Sequence, residues 1–376
     1  MSVIGTKDNT KSVLDQVEEA SSHVTSTNHL LRLSDEIVLT IFRHLPLKDL
    51  VTVSLVDKRF LRLSRDASLW TELTLDYKDF QCQRDSLLQL VERCNKLSNL
   101  KITNDSNIRS SLEMMSVVVK AKETLESLEI DSWIRNWTSG ALKLLGDMRE
   151  LKSLTLDVEI KWYSVFPYFR LEEIGKLSQL EELNINVEFG AEGVEEEIMK
   201  NIFLQLRKLK VVDISHANDA VVDAIASNNR DLKSLSITEY CNVSDEGISV
   251  LADSCANLEE LWLEDFCSIG ALNQLSSSCI KIKCLQFHKI VYEAHNDDIN
   301  DETLFKVIGQ FNGLESLRLR NCYEVTDHGV ETVVKAARRL KSFHIGYAPQ
   351  VTKALVKRLR TENPELDLWV GTWDDS

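Results

Sequence analysis

From residue 97 onward the chain repeats itself. A Leu-x-x-Leu-x-Leu unit, with Ile, Val or Phe substituting, recurs at Leu97/Leu100/Ile102, Leu125/Leu128/Ile130, Leu151/Leu154/Leu156, Leu180/Leu183/Ile185 and Leu209/Val212/Ile214. It continues at Leu232/Leu235/Ile237, Leu258/Leu261/Leu263, Ile282/Leu285/Phe287, Leu314/Leu317/Leu319 and Leu340/Phe343/Ile345. The central positions run 100, 128, 154, 183, 212, 235, 261, 285, 317 and 343, so most periods lie between 23 and 29 residues and one is stretched to 32. Leu69/Leu73/Leu75 forms a leading half-unit and Leu366/Leu368/Val370 a trailing one. A unit of this length cannot bury its apolar side alone, so neighbouring units must stack.

This spacing is that of leucine-rich repeats. Each unit opens with a short strand whose alternation sends leucines to one face and the residues between them to the other. A helical return follows, as in VSDEGISVLADSCANLEEL, where Ser244 is placed to cap a helix and Ile248, Leu251 and Cys255 share one face. The expected fold is therefore an α/β solenoid, a horseshoe with a concave parallel sheet and convex helices. The returns at Cys241–Gly247 and Cys322–Gly329 resemble the cysteine-containing repeats common in F-box proteins. Cys241, Cys255, Cys267, Cys279, Cys284 and Cys322 are accordingly read as small buried side chains.

Ahead of the repeats, Leu33–Leu75 reads as three short helices. Ile37, Ile41 and Leu45 recur at i, i+4, i+8, with Val38 and Phe42 filling the adjoining row. Ser34 is a candidate N-cap with Asp35 and Glu36 in the first turn, and Pro46 is expected to end the helix. A second helix carries Leu50, Val51, Val53, Ser54, Leu55 and Val56, and a third carries Phe60, Leu61 and Leu63. That much apolar surface exceeds what so small a unit can cover.

The pattern Leu33-x-Asp35-Glu36, Ile41-Phe42, Leu45-Pro46-Leu47, Leu50, Val53-Ser54, Val56-x-Lys58-Arg59-Phe60 and Ser68-Leu69-Trp70 resembles an F-box over the whole segment without gaps. The family usually has proline where Ser34 stands. The resemblance implies docking on the Skp adaptor, and through it on a cullin–RING ligase, by Leu33, Ile37, Ile41, Leu45, Pro46, Leu50 and Val56. It implies a non-catalytic substrate-recognition subunit of an SCF ubiquitin ligase, with the ubiquitin transfer performed by other subunits. The expected organisation is a polar leader at 1–29, the F-box at 30–75, repeats at 76–365, and a cap and tail at 366–376.

Composition narrows the partners. Of 376 residues, 59 are acidic and 44 basic, a net charge of −15, which disfavours nucleic acid. No apolar run approaches the ~20 residues of a membrane helix. MSVIGTKDNTKS lacks the apolar stretch of a secretory signal, so the eight cysteines are read as reduced thiols of the cytoplasm or nucleus. No CxxC, HExxH, GxSxG or phosphate-binding glycine loop is present, so neither a metal, a cofactor nor a catalytic residue is expected.

Recognition is expected on the concave face. There Glu129, Asp131, Asp157, Glu260, Trp262, Glu264, His288, Arg318, Arg320 and His344, with Lys101 and Asp213, flank the inward leucines. The early strands are mostly acidic and the end is basic. This anticipates a protein substrate whose basic portion lies on the earlier repeats and whose acidic or phosphorylated end meets Arg318 and Arg320, with Trp262 as an exposed anchor. Aromatic 158–175 and the acidic 288–303 interrupt the period and are candidate binding loops. The alternatives are a repeat scaffold or inhibitor whose helices are only a cap, and a small-molecule receptor, which the acidic face disfavours.

Overall fold

A computed structural model of the chain describes residues 32–76, 96–103, 118–119, 121–131, 139–159, 171–188, 194–264, 269–288 and 299–371. Among these residues three helices, α1 (Asp35–Arg43), α2 (Leu47–Val53) and α3 (Lys58–Leu63), precede the strands. Twelve strands of the described residues then form one parallel sheet in sequential order. They are β1 (Glu72–Asp76), β2 (Asn99–Thr103), β3 (Ser127–Asp131), β4 (Ser153–Glu159), β5 (Glu182–Glu188) and β6 (Val211–Asn218). The second half comprises β7 (Ser234–Asn242), β8 (Glu260–Glu264), β9 (Cys284–His288), β10 (Ser316–Leu319), β11 (Ser342–Ile345) and β12 (Asp367–Val370). The ten full units and two half-units of the sequence account for these twelve strands. The helices returning between them include α4 (Ser139–Gly146), α5 (Val194–Phe203), α6 (Asp219–Asn228), α7 (Asp245–Ser254), α8 (Ile269–Ser278), α9 (Asp301–Gln310), α10 (Asp327–Ala336) and α11 (Lys353–Glu362).

The leucine positions stack in register across the sheet. Leu100, Leu128, Leu154, Leu183 and Val212 form one row and Ile102, Ile130, Leu156, Ile185 and Ile214 the next. All are buried, and a single apolar core runs from Val38 to Leu368. The helix starts are tied together as well. Asp219 opens α6, and its carboxylate accepts from the backbone N–H (2.7 Å) and hydroxyl (2.6 Å) of Ser244, the N-cap of α7. Asp301 treats Thr326 the same way, and Asp327 treats Thr352. Gly247 and Gly329 leave room for this relay, since a Cβ at either would overlap the preceding aspartate. The Ser/Thr-Asp-x-Gly returns thus carry a repeat-to-repeat clamp in addition to a helix cap.

The helix ends form a second ladder. Buried Asn229 accepts from the Leu209 N–H at 2.8 Å and donates to the carbonyls of Leu206 (3.2 Å) and Ile225 (3.0 Å). Cys255 follows the end of α7, where it faces the Asn229 carbonyl, and Cys279 in turn faces that of Cys255. Burial pushes their thiols up to about 12 and about 11. Cys241 and Cys322 are also buried, Cys284 is half-buried, and Cys267 lies outside the described residues.

Charges alternate along the rim where the strands begin. Glu126 pairs with Lys152 (2.9 Å), Glu181 with Lys210 (2.6 Å), Glu259 with Lys283 and Glu315 with Lys341. The paired lysine holds the carboxyls of Glu181, Glu259 and Glu315 below their usual range. β12 is the last strand among the described residues, and there Arg360 Nε donates to the Leu368 carbonyl at 2.8 Å.

Candidate functional site

Two surfaces are built by this frame. The first is on the N-terminal helices. Ser34 caps α1 by accepting from the Ile37 N–H. The helix stops at Arg43, and Pro46 is the N-cap of α2 rather than the terminator of α1, because its fixed φ of −54° suits a helix entry. α2 ends at Val53, so Leu55 and Val56 sit in a turn and not on a helix. Asp57 caps α3 by accepting from the Phe60 N–H at 2.8 Å.

The two apolar rows of α1 part company. Val38 and Phe42 are buried, Phe42 edge-to-face with Phe60 at 5.4 Å between ring centres. Ile37 and Ile41 remain 49% and 37% exposed, joined by Leu55 at 37% and Val56 at 38%. Pro46 is exposed, while Leu33 and Leu45 are half-buried against the core. Leu50 is only 5% exposed. Its expected place on a docking face is corrected, because short α2 turns this side chain into the core with Val38 and Phe60. Leu55 was missed among the outward residues; its adjacency to Val56, just beyond a seven-residue helix, is the signal in the sequence.

This unit is braced internally and shares its apolar core with the solenoid. Trp70 is buried, and its indole N–H donates to the Ser64 carbonyl at 2.9 Å. Arg59 donates to Asp35 (2.8 Å) and to the Leu33 carbonyl, and Arg62 also reaches Asp35. Arg59 first, with Arg62 adding to it, holds the Asp35 carboxyl below its ordinary value of 3.8.

The second surface is the concave side of the sheet. The strand register places Glu129, Thr155, Asn184, Asp213, Ser236, Trp262, Gln286, Arg318, His344 and Trp369 in one row from β3 to β12. Glu264 and His288 are aligned in the row above, Asp131 precedes them on β3, and Asp157 is aligned with Asn186. Glu260 belongs to the row below, where it accepts from Ser234. The side chains of Asp131, Asp157 and His288 lie outside the described residues.

Neighbouring strands revise the charge pattern expected here. Glu129 is paired with Lys101 on β2. His344 Nε2 lies 2.7 Å from Asp367 Oδ2, so it is not a free cation of the basic end. Trp262 is half-buried instead of exposed, and its indole N–H has no hydrogen-bond partner. Arg318 and Arg320 are exposed, and neither guanidinium forms an ion pair among the described residues.

A cleft of about 330 Å³ opens on this face between Glu129 and Trp262, with Asp213 and Asn186 in its lining. Asp213 accepts from Asn184 Nδ2 at 3.2 Å and has no cation beside it among the described residues. Burial therefore pushes its carboxyl up. Asn186 Oδ1 is buried and unpartnered in the same cleft. Among the described residues no cluster of His, Cys, Asp or Glu could hold a metal ion, and no helix is long and apolar enough to cross a membrane.

Residues 30–76 match the F-box-like family. No curated protein matches the chain. Among solved structures the fold is similar to that in the crystal structure of the Rad7 and Elc1 complex in yeast, with a TM-score of 0.57 and 17% identity. The likeness covers 79% of this chain and 73% of that one.

Proposed function

We propose that this chain, an F-box leucine-rich-repeat protein, is the substrate receptor of a cullin–RING ubiquitin ligase, docked through the Skp adaptor as in an SCF complex. The observation that carries the reading is the split face of α1. Val38 and Phe42 close the core while Ile37, Ile41, Leu55 and Val56 stay exposed, as does Pro46. Four large apolar side chains left exposed on so small a unit mark an interaction surface. The similar fold was crystallised with a second protein, Elc1, which is consistent with an architecture that works in a complex.

The receptor supplies position, and ubiquitin transfer belongs to other subunits. Trp70 and the continuous core join the F-box to the repeats without a flexible joint, so a substrate on the concave rows is held at a fixed place relative to the adaptor. Asp213, Trp262, Arg318 and Arg320 are the recognition residues of that face, with Glu260 and Glu264 beside them. Its place of work is the cytoplasm or nucleus.

A second reading has its own observation. Leu50 and Trp70 are buried and Leu33 and Leu45 half-buried against the same core, so the unit also caps the solenoid, and a scaffold needs nothing more. Co-purification with the Skp adaptor separates the two. An Ile37→Asp, Ile41→Asp, Leu55→Asp triple variant changes only outward side chains. The expected result is at least a tenfold loss of adaptor capture, of the size hot-spot loss produces, with the wild-type melting temperature kept. Failure of the wild type to bind leaves the scaffold reading.

A further inference from the structure

Along the rim, and at Lys101–Glu129, charged side chains are matched across adjacent strands, and His344 meets Asp367 in the same way. Asp213 and the pair Arg318 and Arg320, of opposite sign, lack such a partner among the described residues. Asp213 on β6 lines a cleft with no cation beside it, and Asn186 Oδ1 adds an unpartnered acceptor there. Arg318 on β10, with Arg320 just beyond that strand, presents guanidiniums with no carboxylate among the described residues.

Asp213 and Arg318 occupy the same register row, four strand steps apart. At ~4.8 Å per step the two poles are about 19 Å apart, which about six residues of extended chain span. Trp262 stands two steps from each, midway between them. A cleft of about 330 Å³ admits one long side chain and is too small to hold a folded element.

We infer that the concave face binds an extended peptide segment carrying a Lys or Arg side chain, seated at Asp213 and Asn186, and a carboxylate or phosphate about six residues away, held by Arg318 and Arg320. The segment crosses Trp262, whose half-buried ring takes an apolar side chain between the two charges. Charge matching at both ends fixes the position of the peptide, and the spacing excludes segments whose opposite charges are adjacent. This refines the receptor reading, since it specifies the substrate segment the receptor takes.

The test uses the full chain and fluorescein-labelled twelve-residue Ala/Ser peptides, read by anisotropy at low salt. Each peptide carries one arginine and either one glutamate or one phosphoserine, two to ten positions apart, in both orders. Affinity is expected to peak at a separation of five to seven in one order. The glutamate and phosphoserine arms distinguish a constitutive acidic ligand from a phosphorylated one. An Arg318→Glu, Arg320→Glu chain is expected to lose at least tenfold toward the best peptide and to recover binding when lysine replaces the acidic residue. Asp213→Asn is expected to abolish the preference for arginine over alanine.

Absence of binding, an affinity independent of separation, or indifference to the charge reversal overturns the inference. Adaptor capture is measured on the same preparations. Spacing-dependent binding without adaptor capture keeps the peptide site and removes the ligase reading. Adaptor capture with a flat peptide series does the opposite.

Discussion

Two helical glycines have opposite duties. A Cβ at Gly329 would overlap the Asp301 carboxylate that clamps Thr326, whereas a Cβ at Gly309 meets nothing within 4 Å. Gly329→Ala is expected to cost about 1–3 kcal/mol in urea unfolding, the range for forcing atoms into occupied space. Gly309→Ala should stabilise by ~0.5 kcal/mol, because it removes backbone freedom from the unfolded chain. The sequence displayed the Ser/Thr-Asp-x-Gly returns and their caps. It did not display the clamp, because Asp219 and Ser244 meet only after stacking brings residues 25 apart together. Buried cysteines were legible for the converse reason, since the period alone puts Cys255 and Cys279 at a helix end facing the core. Their raised thiols should react with iodoacetamide at pH 8 at least about a hundredfold more slowly in the folded protein than in urea, as followed by mass spectrometry. Asp213 is a residue where local stability is given up. Its carboxyl is raised by burial, so its stabilising contribution is present at low pH and is lost as pH rises through the raised value. Asp213→Asn should therefore raise the melting temperature at neutral pH while weakening recognition.

At the scale of elements, helical periodicity gave two apolar rows on α1 and no means of choosing between them. The choice is made by α3 and Trp70, which cover Phe42 and Val38 and leave Ile37 and Ile41 outside. The inward turn of Leu50 is not legible in the sequence for a related reason: a seven-residue helix has too few turns to declare a face. The same unit carries an acid-labile brace. Asp35 is held below 3.8 mainly by Arg59, so its contribution is complete above that value and disappears as pH falls through the lowered folded value. Thermal melts between pH 6 and 2.5 should show wild type losing stability at the acid end more steeply than Asp35→Asn. Trp70→Ala removes both the buried ring and its bond to Ser64 at the junction. It is expected to cost ~3–5 kcal/mol and to make the F-box melt separately from the repeats, seen as a second calorimetric transition.

Over the whole molecule, strand number and order were legible because every strand is written by the same short unit. The electrostatics of the arc were not. Lys101, Glu129 and His344 each look available in the sequence alone, and each is matched by a residue one repeat away. The last strand among the described residues, β12, is closed by Arg360, whose Nε occupies the Leu368 carbonyl that a further strand would use. Arg360→Ala should expose this edge and give concentration-dependent dimers in light scattering.

The alternating rim has a further consequence, for how such a chain changes length. Glu126, Lys152, Glu181 and Lys210 form one alternating run, and Glu259, Lys283, Glu315 and Lys341 another. Duplication or loss of a single repeat inside either run sets two like charges side by side, whereas a change by two preserves the pattern. Unit number is thus subject to a parity rule. Lys210 and Lys233, consecutive at the β6–β7 step, mark the phase slip between the two runs. That step also holds a shift of register between Ile214 and His216, so the solenoid reads as two in-phase blocks spliced at its middle.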